Sequence, residues 1–593
     1  MDKKAISDAF DEASVLMELA GDNPFRVRAY SNASRIVRAF AGDLAEAVAD
    51  GSIRSIKGIG PNIATHINEL LESDDPPFLL ELRSRFPEGV LDMLRIPGLG
   101  PKKIRVLMEE LDITSVGELE YACRENRLLD LAGFGAKTQK NILKGIASLT
   151  AYAGRYLADT VRAEADQIVG SLRAVKGIVR VEVAGSLRRR KEVVKDMDLV
   201  ASGKPGPLMD AVAVHPLVEE VTARGDTKLT AHLKSGLNLD LRVVPDASFP
   251  YTLQHFSGSK EHNIALRARA QARGMKSNEY GLFKGDRNIP CKDEADIYEK
   301  IGLVYIPPEL REDRGELEAA EKGDLPQLVE PGDIKGALHV HTIASDGSAT
   351  LEEMVQAARG LGFSYIGITE HSASARYARG LEPERVAQEA DFIDRLNEKI
   401  DDFVILKGIE SDILPNGNLD YPDDILASFD FVIGSVHSNF TMPEKEMTAR
   451  ICRALENPWL DILGHPTGRL LLTREPYAVD MEQVLACAAK YNKDIELNAH
   501  PYRLDIDWRL LPQAKKLGIK IAICPDAHST ADLGYTFYGL GAARKGWLEK
   551  GDVLNCLTAE ELMTYFKARR GQTGGGEGES GGVGEKPLDG ETR

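Results

Sequence analysis

Apolar residues recur at helical spacing through residues 1 to about 150, in segments separated by short glycine-containing turns, which predicts a run of helices. Residues 155–305 mix that period with short Val/Leu runs of strand type, and residues 335–568 alternate strand-length apolar runs with amphipathic helical stretches. Seven of the later runs end in a potential ligand: GALHVH, FSYIGITEH, FVILKGIE, FDFVIGSVH, WLDILGH, KDIELNAH and IKIAICPDAH. Strands that alternate with helices and collect their chemistry at their C-terminal ends predict a parallel β/α barrel with its site at that mouth. The stretch from Pro307 to Asp333 is acidic and bracketed by prolines, which suits a mostly exposed connector. From Gly571 onward apolar residues are too sparse to fold, so a disordered tail is expected.

The 593 residues exceed what one core organises, and three to five units are expected. The boundaries read as a helical domain at 1–85, a second at 86–150, a mixed region at 151–306, an acidic linker at 307–334, the barrel at 335–570 and the tail at 571–593. No apolar run reaches membrane-spanning length, and MDKKAISDAFDEASVL lacks the order of a secretion signal, so a cytoplasmic protein that binds no membrane is expected. Six cysteines, Cys123, Cys291, Cys452, Cys487, Cys524 and Cys556, lie far apart and read as reduced bystanders. The net charge of −18 argues at first against a nucleic-acid partner, but residues 1–300 are neutral and the acid lies beyond them. The first half can therefore present local basic patches.

Three stretches in the helical part repeat one design: IKGIGPNIATHI (Ile56 to Ile67), IPGLGPKKIRVL (Ile96 to Leu107) and LAGFGAKTQKNI (Leu131 to Ile142). Each places Gly-apolar-Gly between helices, a turn that brings backbone close to an anion and aims helix N-terminal amides at a phosphate. They resemble the helix-hairpin-helix elements of DNA repair proteins, and Gly58, Gly60, Gly98 and Gly100 are the contact candidates.

In VEVAGSLRRRKEVVKDMDLVASG (Val181 to Gly203) a strand turns at Gly185 and Ser186, passes a basic stretch and returns through Asp196 and Asp198. Residues two apart on a strand share a face, so these carboxylates can share a hard cation such as Mg²⁺ or Mn²⁺. Asp240, in LNLDLRVVP, adds a third carboxylate. Three carboxylates, a Gly-Ser turn and arginines suit two metals on a triphosphate.

The G-S-x-R-R turn, D-M-D and later L-D-L-R resemble the nucleotidyltransferase palm of family X DNA polymerases, the class that includes DNA polymerase beta. The resemblance implies Asp196, Asp198 and Asp240 as catalytic metal ligands and Gly185, Ser186 and Arg189 as holders of a dNTP triphosphate. In QHFSGSKEHNIALRARA it implies His255, Phe256 and Gly258 beside the nucleotide sugar, Asn263 at the base edge and Arg267 toward the template. His255 departs from the aromatic common in eukaryotic members. In NPFRVRAYSNASRIV, Arg26, Arg28 and Tyr30 resemble a grip on the 5′-phosphate of gapped DNA.

The barrel can be read on its own. His339 with His341, and Asp526 with His528, are pairs two apart on single runs, and with Asp346, His371, Glu410, His437 and His465 they make nine candidates. Nine suit about three ions at Zn-type N/O coordination, Zn²⁺ or Mn²⁺, with Glu410 able to bridge. The pattern is similar to the PHP (polymerase and histidinol phosphatase) family, a seven-stranded barrel with a trinuclear site that hydrolyses phosphoesters. That resemblance implies one ion on His339, His341, Glu410 and Asp526, a second on Glu410, His437 and His465, and a third on Asp346, His371 and His528. Asn498 and His500 match no ligand position, Glu370 stands where an Asp is common, and Arg469 and Arg503 are possible phosphate partners.

The expected architecture is thus multidomain α+β and α/β: helix-hairpin-helix domains, a family X palm and thumb, and a C-terminal (βα)7 PHP barrel, with a monomer expected. The expected activity is filling of short gaps in base-excision-type DNA repair, with a metal-dependent 3′-5′ exonuclease or abasic-site endonuclease in the barrel. The alternatives are a DNA-binding scaffold with a vestigial barrel site and a barrel acting on small phosphate esters. Eukaryotic lyase members carry a Schiff-base lysine where this chain has His66, and an imidazole cannot form that imine. Borohydride treatment with an abasic-site substrate should therefore trap no covalent adduct; a trapped adduct would refute this.

Overall fold

The computed structural model describes residues 3–40, 43–73, 76–96, 98–129, 131–150 and 154–572. Helices Lys3–Leu19, Pro24–Ala39, Leu44–Ala49, Pro61–Glu72 and Pro77–Ser84 enclose a core that includes Ile6, Phe10, Leu16, Ile63, Ile67 and Leu79. A second helical core gathers Val90, Met93, Ile104, Leu107, Leu119, Leu128 and Ile142 under helices Pro101–Leu111, Val116–Arg124 and Ala136–Thr150. Proline opens two hairpin helices, Pro61–Glu72 and Pro101–Leu111, at the position where its missing N–H costs nothing.

The mixed region builds a five-stranded sheet in the order Arg180–Val183, Asp196–Ser202, Asn238–Val244, Lys228–Leu233, Val218–Arg224. Asp196–Ser202 and Asn238–Val244 run parallel, with Asp198 directly opposite Asp240. Strand alternation sends Met197, Leu199 and Ala201 into a core with helices Ala158–Arg173 and Pro205–Ala213. Val200, on the opposite face, packs on Phe249 and Leu253 of helix Phe249–Ser257, and the two aspartates share its parity along the strand.

The stretch after Pro307 corrects the expectation of an exposed connector. Leu310, Arg311, Glu316, Leu317, Ala320 and Val329 are buried, and helix Glu316–Lys322 joins a core with Tyr251, Leu266, Tyr298 and Ile306. Its acid is spent internally. Glu316 bonds His262, and Glu312 accepts from both Arg189 and Lys545, which joins the palm to the barrel. Acidic composition resembled a solvated linker because pairing partners distant in sequence are invisible along the chain.

The barrel contains strands Gly336–Val340, Tyr365–Ile368, Val404–Asp412, Phe431–Ser435, Ile462–Leu463, Asp494–Asn498 and Ile521–Cys524 in consecutive parallel order. A parallel bridge from Val340 to Ala527 links the last strand's end to the first. Leu338, Tyr365, Leu406, Phe431, Ile433 and Ile462 fill the interior, and Leu562 and Phe566 of helix Ala559–Gln572 pack beneath them. That helix is fastened at strand starts, by Arg570 to Asp461 and Tyr565 to Asp494, so it covers the end opposite the C-terminal mouth. It runs through Gln572, two residues into the expected tail; the rest of the tail lies outside the described residues.

The reading of every cysteine as reduced is also corrected: Cys452 and Cys487 form a disulfide. Neighbouring helices Glu444–Leu455 and Met481–Lys490 bring their Cα atoms to 5.6 Å across 35 residues of sequence, a proximity that spacing could not disclose. Among the described residues no helix is long and apolar enough to cross a membrane.

Arg311 is wholly buried, bonds Glu294 at 2.5 Å and the Ile306 carbonyl at 2.9 Å, and lies over the rings of Tyr298 and Tyr305. Arg311→Ala should leave Glu294 short of a partner and cost this module about 3–5 kcal/mol, read as an earlier transition in urea denaturation.

Candidate active sites

The palm carboxylates are held together against their own repulsion. Burial, then Asp196 and Asp240, push the Asp198 carboxyl up to about 6, a state that a bound cation would relieve. Asp240 is oriented by Thr230 at 2.6 Å and Lys228 at 2.9 Å. Gly185 is required twice over: its φ is +63°, and a Cβ there would fall 2.2 Å from Asp198 Oδ2. The structure thus brings together the Gly-Ser turn and the carboxylates singled out in the sequence. The basic residues of the turn face elsewhere. Arg188 bonds Glu294 and Ser257, while Arg189 is buried and bonds Glu312 and the Ser257 carbonyl. The expectation that Arg189 holds a triphosphate meets a guanidinium already engaged.

Beyond them, His255 and Phe256 are edge-to-face at 5.0 Å, and Arg242 stacks on Phe256 at 4.2 Å. Asn263 is fixed by the His255 carbonyl and by Gln254, tight against Gly258, where a Cβ would meet its Oδ1 at 2.4 Å. Arg267 is exposed.

At the barrel mouth the nine candidates converge. Glu410 Oε1 lies 3.3 Å from His339 Nε2, 3.3 Å from His437 Nε2 and 3.0 Å from His465 Nε2; its Oε2 lies 3.0 Å from His371 Nδ1. Asp526 Oδ1 is 3.4 Å from both His339 and His341, and Asp346 faces His528 at 3.3 Å and His371 at 3.5 Å. Donors at about 2.0–2.2 Å from a shared tetrahedral ion stand roughly 3.3–3.6 Å from one another. The spacings therefore fit ions between the side chains. His339 Nε2, His341 Nε2, Asp346 Oδ2, Glu410 Oε2 and His528 Nε2 are buried and make no hydrogen bond, a cost of about 1–3 kcal/mol each unless a cation sits among them. Burial alone would strip the proton from His339, yet Glu496, Asp526 and Glu410 outweigh it and raise its affinity well above that of a free imidazole. His341, buried and facing His528 and His371, is driven down to about 3. His339 and Asp526 themselves sit at φ +62° and +52°, left-handed positions uncommon for such residues.

A second layer, only partly visible in the sequence, orients these donors. Glu496 accepts hydrogen bonds from His339 Nδ1 at 2.5 Å and from the His465 amide, and Asp412 accepts one from His437 Nδ1 at 2.5 Å. Each fixes which ring nitrogen faces the centre. A carboxylate inside an apolar strand run, as in DIELN, was the available signal for Glu496. Asn498 bonds Asp526 at 2.9 Å, and His500 packs against Tyr121 and Tyr535. Glu370 accepts from Thr342 and Ser345 and so secures the loop that carries Asp346. Arg469 is tied to Asp507 and the carbonyls of Arg503 and Leu504, whereas Arg503 stays at the site, 3.6 Å from Asp526.

On the hairpins, a Cβ at Gly60, Gly98 or Gly100 would meet nothing, so internal packing does not demand these glycines. Gly98 is fixed by its φ of +82°. Arg26 and Arg28 are exposed, but Tyr30 is buried between Phe10, His66 and Phe78, which corrects its reading as a surface contact. Only two of the three proposed phosphate contacts of that helix face solvent. His66 stacks on Phe78 at 4.0 Å and bonds Glu69.

Replacing Glu496 by Gln should keep the fold but turn His339 toward the wrong tautomer. Bound metal measured by elemental analysis, or barrel activity, should fall about 10–100-fold.

Family models match four stretches of the chain: a helix-hairpin-helix domain at residues 1–75, a SAM-like helix-hairpin-helix tandem at 90–148, a DNA polymerase beta thumb at 252–312 and a PHP domain at 337–500. The thumb match runs into the segment first taken for a linker. The DNA polymerase/3′-5′ exonuclease PolX of Bacillus subtilis (strain 168) is 38% identical over 574 residues, covering 96% of this chain and 100% of the relative. The barrel also resembles proteins described as probable phosphatases. That of Thermoanaerobacter sp. (strain X514) is 31% identical over 250 residues, 40% of this chain and 97% of its own length. That of Caldanaerobacter subterraneus subsp. tengcongensis is 29% identical over 254 residues, 40% of this chain and 93% of its own. With a relative matched along its whole length, and with palm carboxylates and barrel histidines converging in two separate clusters, the chain belongs to the family X DNA polymerases that carry a C-terminal PHP domain.

Proposed function

We propose that this polymerase fills short gaps in DNA at the Asp196/Asp198/Asp240 site and that its barrel hydrolyses phosphodiesters of the same substrate, removing 3′-terminal nucleotides or cutting at abasic sites. The observation that carries the reading is the pair of separate clusters: three palm carboxylates close enough that burial and its neighbours push the Asp198 carboxyl up, and a barrel cluster whose buried donors make no hydrogen bond. Asp196, Asp198 and Asp240 would hold Mg²⁺ or Mn²⁺, and the nine barrel donors about three Zn²⁺ or Mn²⁺ ions. Such ions supply charge neutralisation and, at the barrel, hydroxide near neutral pH. The protein's own part is positional. Gly185 lets the turn approach Asp198, Thr230 and Lys228 orient Asp240, and Glu496 and Asp412 set the tautomers of His339 and His437. Gly60, Gly98 and Gly100, with open space beside them, suit sequence-independent contact with the DNA backbone, which Arg26 and Arg28 extend toward a 5′-phosphate, whereas a Cβ at Gly58 would meet Ile36 at 2.6 Å.

A second reading keeps the polymerase and gives the barrel a small phosphate ester as substrate; the similarity to probable phosphatases favours it. Comparing turnover of DNA 3′ ends with that of small phosphomonoesters separates the two.

A time course on a duplex with a one-nucleotide gap and Mn²⁺, with and without dNTPs, tests the assignment. Asp196→Ala with Asp198→Ala should abolish nucleotide addition and spare hydrolysis, and His339→Ala with His341→Ala should do the reverse. The two-site assignment fails if both pairs leave both activities intact.

A further inference from the structure

The barrel mouth is roofed by the second helical domain. Helix Val116–Arg124 and the turn after it seat on the barrel through Glu118 to Arg474 at 3.1 Å and the Tyr121 hydroxyl to Arg503 at 2.8 Å, and Glu125 reaches within 3.8 Å of His528. Between the two modules lies a partly enclosed cavity. Leu111, Ile113, Leu470 and Phe440 supply its apolar wall, Arg127, Arg474 and Arg503 its cations, and Asp112 and Glu118, the latter paired with Arg474, its carboxylates. It adjoins the smaller void among the metal donors, and Tyr121, Arg127, Tyr377, His437 and Arg503 line both.

Arg127 differs from the other two arginines. Arg474 is paired with Glu118, and Arg503 with Tyr121 and Asp526. Among the described residues no carboxylate pairs with Arg127, its Nε is buried without a hydrogen bond, and its guanidinium lies 4.1 Å from the Tyr377 ring centroid, between the two voids. A buried guanidinium nitrogen without an acceptor costs free energy that a ligand oxygen would recover. We propose that the cavity between the helical domain and the barrel binds the terminal nucleotide of a DNA 3′ end, with Arg127 reaching across from the helical domain to grip its phosphate. The proposal rests on the reading of the barrel as a site that acts on DNA. The apolar wall takes the base without selecting it, and the phosphate is placed beside His437 and the donors around Glu410. The barrel's site is thereby built by two domains.

The test uses full-length, Mn²⁺-loaded protein. Binding of dTMP is measured by calorimetry, and hydrolysis of a single-stranded oligonucleotide 3′ end is measured in parallel, for wild type, Arg127→Ala and Arg127→Lys. Arg127→Ala should weaken dTMP binding at least tenfold and raise KM for the oligonucleotide more than it lowers kcat. Arg127→Lys, which keeps the charge and loses the planar stack on Tyr377, should recover part of the affinity. Unchanged dTMP affinity in Arg127→Ala overturns the proposal. So does a lysine variant as weak as the alanine one with both melting below wild type, since Arg127 would then only dock the domains. If wild type binds dTMP through Arg127 yet leaves DNA 3′ ends intact, the pocket stands and the reading of the barrel's substrate is what fails.

Discussion

Everything at the barrel mouth depends on one electrostatic condition: carboxylates and imidazoles crowded in a buried volume, with several of their polar atoms making no hydrogen bond. Glu410 is within 3.3 Å of His339, His437 and His465 and within 3.0 Å of His371. The parallel barrel exists to hold such a cluster. Six of the seven strands deliver a donor at or near their ends, the helix Ala559–Gln572 shuts the opposite end, and the second layer of Glu496, Asp412 and Asn498 orients what the strands deliver. The palm solves a smaller version of the same problem with three carboxylates and two parallel strands.

Much of this was legible in the sequence because it is written in short-range rules. Period-two alternation placed Asp196 and Asp198 on one face, and repeated strand ends identified the nine barrel donors. What escaped reading is long-range. Arg189 looked available until Glu312, 123 residues later, was seen to bond it. Tyr30 looked like a surface residue because helical pattern does not say which face meets Phe78. The disulfide between Cys452 and Cys487 and the burial of Arg311 have the same origin: they follow from which helices pack together, and local composition carries no trace of that.

The roof over the barrel adds a point about modularity. Relatives that cover only the barrel have no counterpart here to helix Val116–Arg124, whose Glu118 and Tyr121 bond barrel arginines. Gly117 packs so closely on Thr473 that a Cβ would fall 1.5 Å from its methyl carbon, so this seat is shaped for contact. The same domain that carries a helix-hairpin-helix tandem therefore also packs over the barrel mouth.

Glu312 has a further consequence. It accepts from Arg189, beside the palm's Gly-Ser turn, and from Lys545, at the end of a barrel helix, so one carboxylate clamps palm to barrel. A flexible tether would dilute each site with respect to the other as the inverse of a growing search volume. Clamped modules behave otherwise: the effective concentration of one site at the other is a constant of the fold.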